Sequence, residues 1–333
     1  MKALVLKRYG GLDTMEFSEL PRPAIKPDEI LVQVHAAALN PVDLMIAKGA
    51  FKPLMPVTLP QVVGSDLAGT VIETGSSVTR FKRGDAVFAS IFDLPGGSLA
   101  ELAAVPERAA AHKPDNLDFV QAASIPMVGL TSWQAMRERM QLKRGQKVFI
   151  PAGSGGIGTF AIQLAKHLGA IVGTSTSSAN LALVRSLGAD EVVDYKQQQV
   201  QQVLQGYDAI LGTLRGDALD TSLAILRPGS KVVSLIGPPD AAFARARGMN
   251  FFMKAVFGLL SAGMIRRASK RGASYSFLFV RPDGGTLGEI GALLAGGQIK
   301  PVIDKVFAFE QAKEGLAYLG QGRARGKVVV QLQ

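Results

Sequence analysis

Residues 147–158 read KVFIPAGSGGIG, and no other stretch of the chain restricts its possible folds as strongly. A short apolar run leads into glycines at 153, 155 and 158, spaced G-x-G-x-x-G. Residues 158–168 then carry apolar side chains at helical spacing. Glycines in this pattern arise by chance in turning loops. Here a strand precedes them and a helix follows, which are the two flanks the mechanism requires. Gly153 supplies the tight turn, Gly155 lets the backbone approach a pyrophosphate, and Gly158 lets the helix lie close on the strand. Free N–H groups and the dipole at a helix N-terminus favour anions. Gly153, Ser154, Gly155, Gly156, Ile157 and Gly158 are therefore the candidate phosphate-binding loop for a dinucleotide.

The surrounding texture fits such a loop. Strands are expected over residues 147–152, 170–174, 191–194, 207–212 and 231–236. Helices are expected over 158–168, 180–187 and 219–226, the last ended by Pro228-Gly229, and a final strand over 276–280. Strand–helix alternation with nearly continuous Val/Ile/Leu strands argues for a parallel sheet covered on both faces. Residues 1–124 differ: short strand-like runs at 2–6, 29–35, 69–74 and 85–90 are separated by Pro and Gly, as in a mainly antiparallel β region. Residues 281–333 return to that texture, with strands at 302–309 and 327–332 around a helix at 310–319. The expected fold is α/β, a doubly wound parallel-sheet (Rossmann) domain at 125–280 inserted into an antiparallel β domain made of 1–124 and 281–333.

The end of the second strand selects the dinucleotide. An NAD site needs an acid about 20 residues past the glycines to accept from the ribose 2′-OH. Residues 173–180 read GTSTSSAN, with no acid before Asp190. Thr174, Ser175, Ser177 and Asn180, with Thr176 and Ser178, offer donors for a 2′-phosphate, which favours NADP(H). No Arg or Lys stands in this loop.

Composition excludes other chemistry. Cysteine is absent, so disulfides, thiolate zinc sites and cysteine nucleophiles are all ruled out. The three histidines, His35, His112 and His167, lack metal-ligand spacing, and no zinc is expected. The net charge of +10, from 37 bases and 27 acids, is read as a scattered cationic surface, since no nucleic-acid motif accompanies it. The N-terminal apolar run is short for a signal peptide, and the chain is expected to be soluble and cytoplasmic. Residues 250–275, NFFMKAVFGLLSAGMIRRASKRGASY, stand out as apolar and then basic. The favoured reading is a helix over the cleft or at a subunit interface with its charges in solvent. The alternative is contact with an anionic membrane surface.

From end to end the chain resembles the medium-chain dehydrogenase/reductases of the quinone oxidoreductase branch. The segments that carry the resemblance are AAALNPVD at 36–43, VGSDLAGTV at 63–71, RGDAVF at 83–88, GLTSWQA at 129–135, RSLGAD at 185–190 and the glycine loop. The resemblance implies a GroES-like catalytic domain, a Rossmann domain, and commonly a homodimer. Zinc-dependent members of the superfamily place Cys where Asn40 stands and Gly-His-Glu where this chain has Gly64-Ser65-Asp66. It further implies that Asn40, Asp43 and Thr131 border the nicotinamide, that Ile236, Gly237, Phe279 and Val280 flank it, and that Lys327 lies near the cofactor. The expected activity is zinc-free hydride transfer from NADPH to a small-molecule quinone or α,β-unsaturated carbonyl. Simple aldehyde or ketone reduction, and a non-catalytic dinucleotide-binding sensor or scaffold, are the alternatives.

Overall fold

Sixteen strands organise the described part of the chain: β1 (Lys2–Leu6), β2 (Met15–Glu19), β3 (Glu29–Leu39), β4 (Gln61–Val62), β5 (Asp66–Thr74), β6 (Ala86–Ser90), β7 (Leu102–Pro106), β8 (Ala110–His112), β9 (Lys147–Ile150), β10 (Ile171–Thr176), β11 (Glu191–Asp194), β12 (Tyr207–Gly212), β13 (Leu226–Ser234), β14 (Ser274–Phe277), β15 (Ile303–Ala308) and β16 (Lys327–Gln331). The computed structural model describes residues 1–52, 54, 55, 57–214 and 216–333, and of Asp217 and Ala218 the backbone alone. Two compact units result: Met1–Leu130 with Arg281–Gln333, and Thr131–Val280. The first boundary, expected at 124/125, falls at Leu130/Thr131, inside the helix Pro126–Trp133.

The first unit is built around β3. It pairs antiparallel with β5, β7 and β16, within a sheet ordered β15-β16-β3-β5-β6-β8. Eleven residues long and apolar on both faces, β3 serves two cores. Ile30, Val32 and Val34 pack with Leu67, Val71 and Val87, while Ala37 and Leu39 pack with Leu316, Val328 and Val330. The only parallel pair of this sheet, β15 with β16, is joined by the helix Ala312–Gly320, as a parallel connection requires. β1, β2 and β4 form a small separate sheet.

The second unit carries six parallel strands in the order β11-β10-β9-β12-β13-β14. The first strand lies inside the sheet, the next two extend one way, and the chain then crosses to the other side of β9. That reversal between β9 and β12 is the topological switch point where doubly wound sheets bind ligands beyond their carboxyl ends. Val148, Phe149, Ile150, Val172, Ile210 and Leu211 are buried, as expected of strands covered on both faces.

Two expected elements are corrected. The helix of 219–226 ends at Leu223, and β13 begins at Leu226, running through Pro228 and Gly229 rather than after them. Its pairing with β12 jumps from Tyr207↔Leu226 to Ala209↔Lys231. Pro228 falls in that irregularity, where its missing N–H breaks no ladder bond. The last strand ends at Phe277, three residues before its expected end, so Phe279 and Val280 lie beyond it.

Candidate active site

Strand pairing assembles a polar cluster in the first unit. Val328 faces Leu39 across β16 and β3, and Ala38 faces Asp66 across β3 and β5. Asn40, Asp66 and Lys327, far apart in sequence, thus become neighbours. Asn40 is extended, and Pro41 after it starts the helix Pro41–Ala47, whose first turn tolerates proline because that N–H is free anyway. Asp43, on the same turn, accepts the Asn40 N–H on Oδ2 (2.8 Å) and the Ser65 hydroxyl on Oδ1 (2.7 Å).

Asn40 Nδ2 donates to Asp66 Oδ2 at 2.9 Å, and the Met127 N–H donates to Asp66 Oδ1 at 3.0 Å. Lys327 Nζ donates to Asn40 Oδ1 (2.5 Å), Leu39 O (3.2 Å) and Asp66 Oδ2 (3.5 Å). Asp66 is fully buried and Lys327 nearly so. Charges removed from water must be paired and hydrogen-bonded, and this cluster satisfies that condition with its own side chains. Burial pushes Asp66 above the usual carboxylate range, against the pull of Lys327, and pushes Lys327 below the usual amine range, against Asp66 and Asp43. Burial also raises Asp43 to about 6, although the Ser65 and Asn40 hydrogen bonds oppose it. Asp43 and Ser65 border a recess whose other walls include Met55, Val63 and Phe92.

The donor set does not suit zinc. Thiolate and imidazole nitrogen, the usual zinc ligands, are missing from Asn40, Ser65 and Asp66. The oxygens that remain, Asn40 Oδ1 and Asp66 Oδ2, already face the Lys327 ammonium, whose charge opposes a second cation. Among the described residues no group of three or more His, Asp or Glu is arranged to hold a metal.

In the second unit the glycine loop follows β9 and leads into the helix Gly156–His167, with Gly155 at its N-cap. The N–H groups of Gly156, Ile157 and Gly158 have no intrahelical acceptor, as in any first helical turn. A methyl group on Gly158 would lie 2.6 Å from both Ala152 O and Gly153 Cα, so helix and strand touch there without room for a side chain. On Gly155 the same methyl would meet nothing closer than Ala152 O at 3.4 Å. The protein's own packing therefore does not demand a glycine at 155, and the bare backbone there is available to a ligand.

Beside the loop, Ser154 Oγ accepts from Thr176 Oγ1 (3.0 Å) and Asn180 Nδ2 (3.1 Å), and Asn180 Nδ2 also reaches Ser177 Oγ (3.3 Å). Asn180 Oδ1 is buried without a partner, an orphaned acceptor at the rim of the loop. These residues fit a dinucleotide with its phosphates on the helix N-terminus and its ribose against Ser154, Ser177 and Asn180.

Several expected positions turn out otherwise. Thr174 is fully buried and donates to Ile150 O at 2.6 Å, so it ties β10 to β9 rather than facing a ligand. Ser175 is buried too, and supports the loop by accepting the Gly153 N–H on its carbonyl (3.0 Å). Lys327, expected near the cofactor, directs its ammonium into the Asn40–Asp66 cluster. Ser178 donates to Asp194, which holds that carboxyl below its ordinary range. Ile236 and Gly237 follow β13, where the Gly237 N–H bonds Ser234 Oγ (2.9 Å). Phe279 and Val280 follow β14, and the Phe279 ring packs 5.5 Å from that of Phe243. All four lie past the carboxyl ends of parallel strands. Thr131 is buried in its helix, in the second unit, whereas Asn40 and Asp43 belong to the first.

Sequence reading missed three residues. Asp66 and Ser65 interrupt an apolar run, which was the available signal. Lys196 follows β11 and lies on the surface, its N–H on Asp194 Oδ1 (3.0 Å), and it is a base that the pairing of β10 with β11 brings to the same edge as Ser177 and Asn180.

Comparison with known proteins agrees with this architecture. Residues 26–115 match the alcohol dehydrogenase GroES-like domain family, and residues 187–330 the zinc-binding dehydrogenase family. The chain is 35% identical to a mitochondrial NAD(P)H oxidoreductase, RTN4IP1, of Danio rerio, over all of this chain and 91% of the relative. It is 34% identical to the chloroplastic NADPH-dependent alkenal/one oxidoreductase of Arabidopsis thaliana, over 99% of this chain and 79% of the relative. The structure of the quinone oxidoreductase from Coxiella burnetii superposes with a TM-score of 0.85 at 28% identity, covering all of this chain and 99% of that one. The chain belongs to the medium-chain dehydrogenase/reductase family, in its quinone oxidoreductase-like branch.

Proposed function

We propose that this protein reduces quinones or the carbon–carbon double bond of α,β-unsaturated carbonyl compounds, with hydride from NADPH and without zinc. The observation that carries the reading is the Asn40–Asp66–Lys327 cluster. Alcohol oxidation calls for a Lewis acid that stabilises an alkoxide. At the positions where the resemblance puts the ligands of zinc-dependent members, this chain holds Asn40, Ser65 and Asp66, and the Lys327 ammonium hydrogen-bonds the first and the last of them. Hydride addition to a conjugated acceptor makes smaller demands, because charge on the carbonyl oxygen can be met by a hydrogen-bond donor. When bound, NADPH supplies the hydride.

The chain's own residues do the rest. Gly155–Gly158 and the helix behind them hold the pyrophosphate. Ser154, Ser177 and Asn180 hold the ribose side, with Lys196 as the base beside a 2′-phosphate. Asn40 and Asp43 fix the turn that enters the recess, and Ser65 and Asp43 present it with a hydroxyl and a carboxyl. Names of relatives support the substrate class: alkenal/one, 2-methylene-furan-3-one and quinone all denote electron-poor conjugated acceptors. Absence of cysteine suits a reducing compartment, and the proposal places the protein in the cytoplasm.

The test is NADPH oxidation with a panel of quinones, enals, and saturated aldehydes and ketones, before and after dialysis against a chelator. Turnover of quinones or enals, unchanged by the chelator, is the expected result. Tight NADPH binding with no turnover, turnover of saturated carbonyls alone, or recovery of lost activity by added zinc would each overturn the reading.

A further inference from the structure

The helix Phe251–Ser269 spans 19 residues of the second unit, started by Asn250, whose Oδ1 accepts the Met253 N–H at 2.9 Å. Its buried positions are Phe257, Ser261, Met264 and Ala268, spaced four, three and four apart, which is one face. That face rests on its own unit, where the Phe257 ring meets Phe243 at 5.9 Å. The rest of its circumference carries large apolar side chains in the N-terminal half and bases at the C-terminal end, left exposed by the described residues of the unit. Phe251 is 83% exposed, Phe252 70%, Leu259 79% and Leu260 58%, and Ile265 is exposed too. These five make up most of the large exposed apolar side chains among the described residues. Gathered on one helix, they form a patch of the kind that marks an interaction surface.

Charge identifies what the patch fits. Between Asp240 and Asp283 the sequence contains no acid and eight bases: Arg245, Arg247, Lys254, Arg266, Arg267, Lys270, Arg271 and Arg281. The other residues of the chain carry 29 bases against 27 acids, so this segment supplies most of the net charge of +10. Arg267 is paired with Asp220 of the same unit at 3.0 Å, and Arg266, Lys270 and Arg271 are exposed at the C-terminal end of the helix. A second copy docking on this face would bring two acid-free, basic segments together. No helix of the described residues is long and apolar enough to cross a membrane.

We infer that the helix Phe251–Ser269 is an interfacial anchor that lies on an anionic lipid surface, with Phe251, Phe252, Leu259 and Leu260 inserted and Arg266, Lys270 and Arg271 at the headgroups. Exposed rings and leucines over 251–260 followed by exposed bases over 266–271 combine apolar area to bury with attraction to anionic headgroups, the two contributions that hold a helix at a lipid interface. Basic residues at such a surface add roughly fivefold each to the partition coefficient.

The experiment is co-sedimentation of the full chain with vesicles of pure phosphatidylcholine and with vesicles holding a third phosphatidylglycerol, at low and high salt. Binding to the acidic vesicles alone, lost at high salt, is the expected result. Phe252→Ser with Leu259→Ser, and separately Arg266→Glu with Lys270→Glu, are each expected to lower the partition coefficient at least tenfold. All four side chains are exposed, so folding is retained, and unchanged NADPH turnover verifies this. No sedimentation at low salt, or binding that neither pair of substitutions weakens, overturns the proposal. So does a dimer in sedimentation velocity that the Phe252→Ser, Leu259→Ser variant dissolves, which would make a second copy the occupant.

Discussion

Replacing Lys327 with methionine tests the charge balance of the buried cluster. The side chain keeps its length, but three donated hydrogen bonds disappear, to Asn40 Oδ1, Leu39 O and Asp66 Oδ2. Asp66 then keeps a buried charge with only neutral donors, among them Asn40, Ser90 and Met127. Removing one partner of a buried ion pair costs about 3–5 kcal/mol. For a unit of roughly 180 residues that lowers Tm by about 10 °C, at ~2–4 °C per kcal/mol.

The cost depends on pH, with a sign that follows from Asp66. Its folded pKa lies above the unfolded value even with lysine present, and loss of the cation raises it further. A carboxyl of this kind leaves stability intact at low pH and takes it away as pH rises through the folded pKa. Lys327→Met is therefore expected to lose more stability at pH 8 than at pH 5. Adding Asp66→Asn removes the stranded charge, and the double variant is expected to be more stable than the sum of the singles by about 2 kcal/mol or more. Scanning calorimetry at both pH values reads all of this. A cost below about 1 kcal/mol for Lys327→Met, equal at pH 5 and 8, would show that the ammonium is not the counter-charge of Asp66.

The glycine loop predicts a separation of effects. Gly158→Ala forces a methyl against backbone atoms at 2.6 Å and is expected to destabilise the free protein by about 2 kcal/mol, whereas Gly155→Ala should fold normally yet lose most of the thermal shift given by NADPH. Asn180→Asp places a carboxylate beside the site assigned to the 2′-phosphate, and the ratio of kcat/KM for NADPH over NADH is expected to fall at least tenfold. Asp43, raised from 3.8 to about 6, keeps a proton in the folded state that it loses on unfolding, so its contribution is present below about pH 4 and lost as pH rises through 6. Between pH 4 and 7 the stability of Asp43→Asn relative to the parent should thus improve by up to ~3 kcal/mol, measured by urea unfolding.

The order of elements was legible because local patterns carry it. The alternation after residue 147 and the flanks of the glycine loop specify a doubly wound sheet, and β9, β11 and β12 begin where the apolar runs begin. What local pattern cannot carry is pairing. Asp66 on β5 and Lys327 on β16 are eleven strands apart in chain order, and only the β16-β3-β5 ladder makes them neighbours. Thr174 looked like its hydroxyl neighbours in sequence. Two residues apart, Thr174 and Thr176 share a face of β10; Thr174 lies beside Ile150 within the sheet, whereas Thr176 is the last residue of the strand and reaches Ser154 at the loop. Pro228-Gly229 read as a helix stop, since a proline inside a strand is uncommon, and the irregular register of β13 admits it.

The cation of the polar cluster sits on β16, the last strand, and Lys327 is the seventh residue from the C-terminal end of the sequence. During synthesis Asp66 leaves the ribosome 261 residues before Lys327, the group that neutralises it, and Asp43 earlier still. The first unit therefore cannot close around its own acids until β16 has been made, whereas the parallel sheet, contiguous from Thr131 to Val280, can form earlier. A metalloenzyme obtains its charge balance by loading an ion after folding. In this chain the buried acids meet their counter-charge through the docking of β16, a step of folding itself.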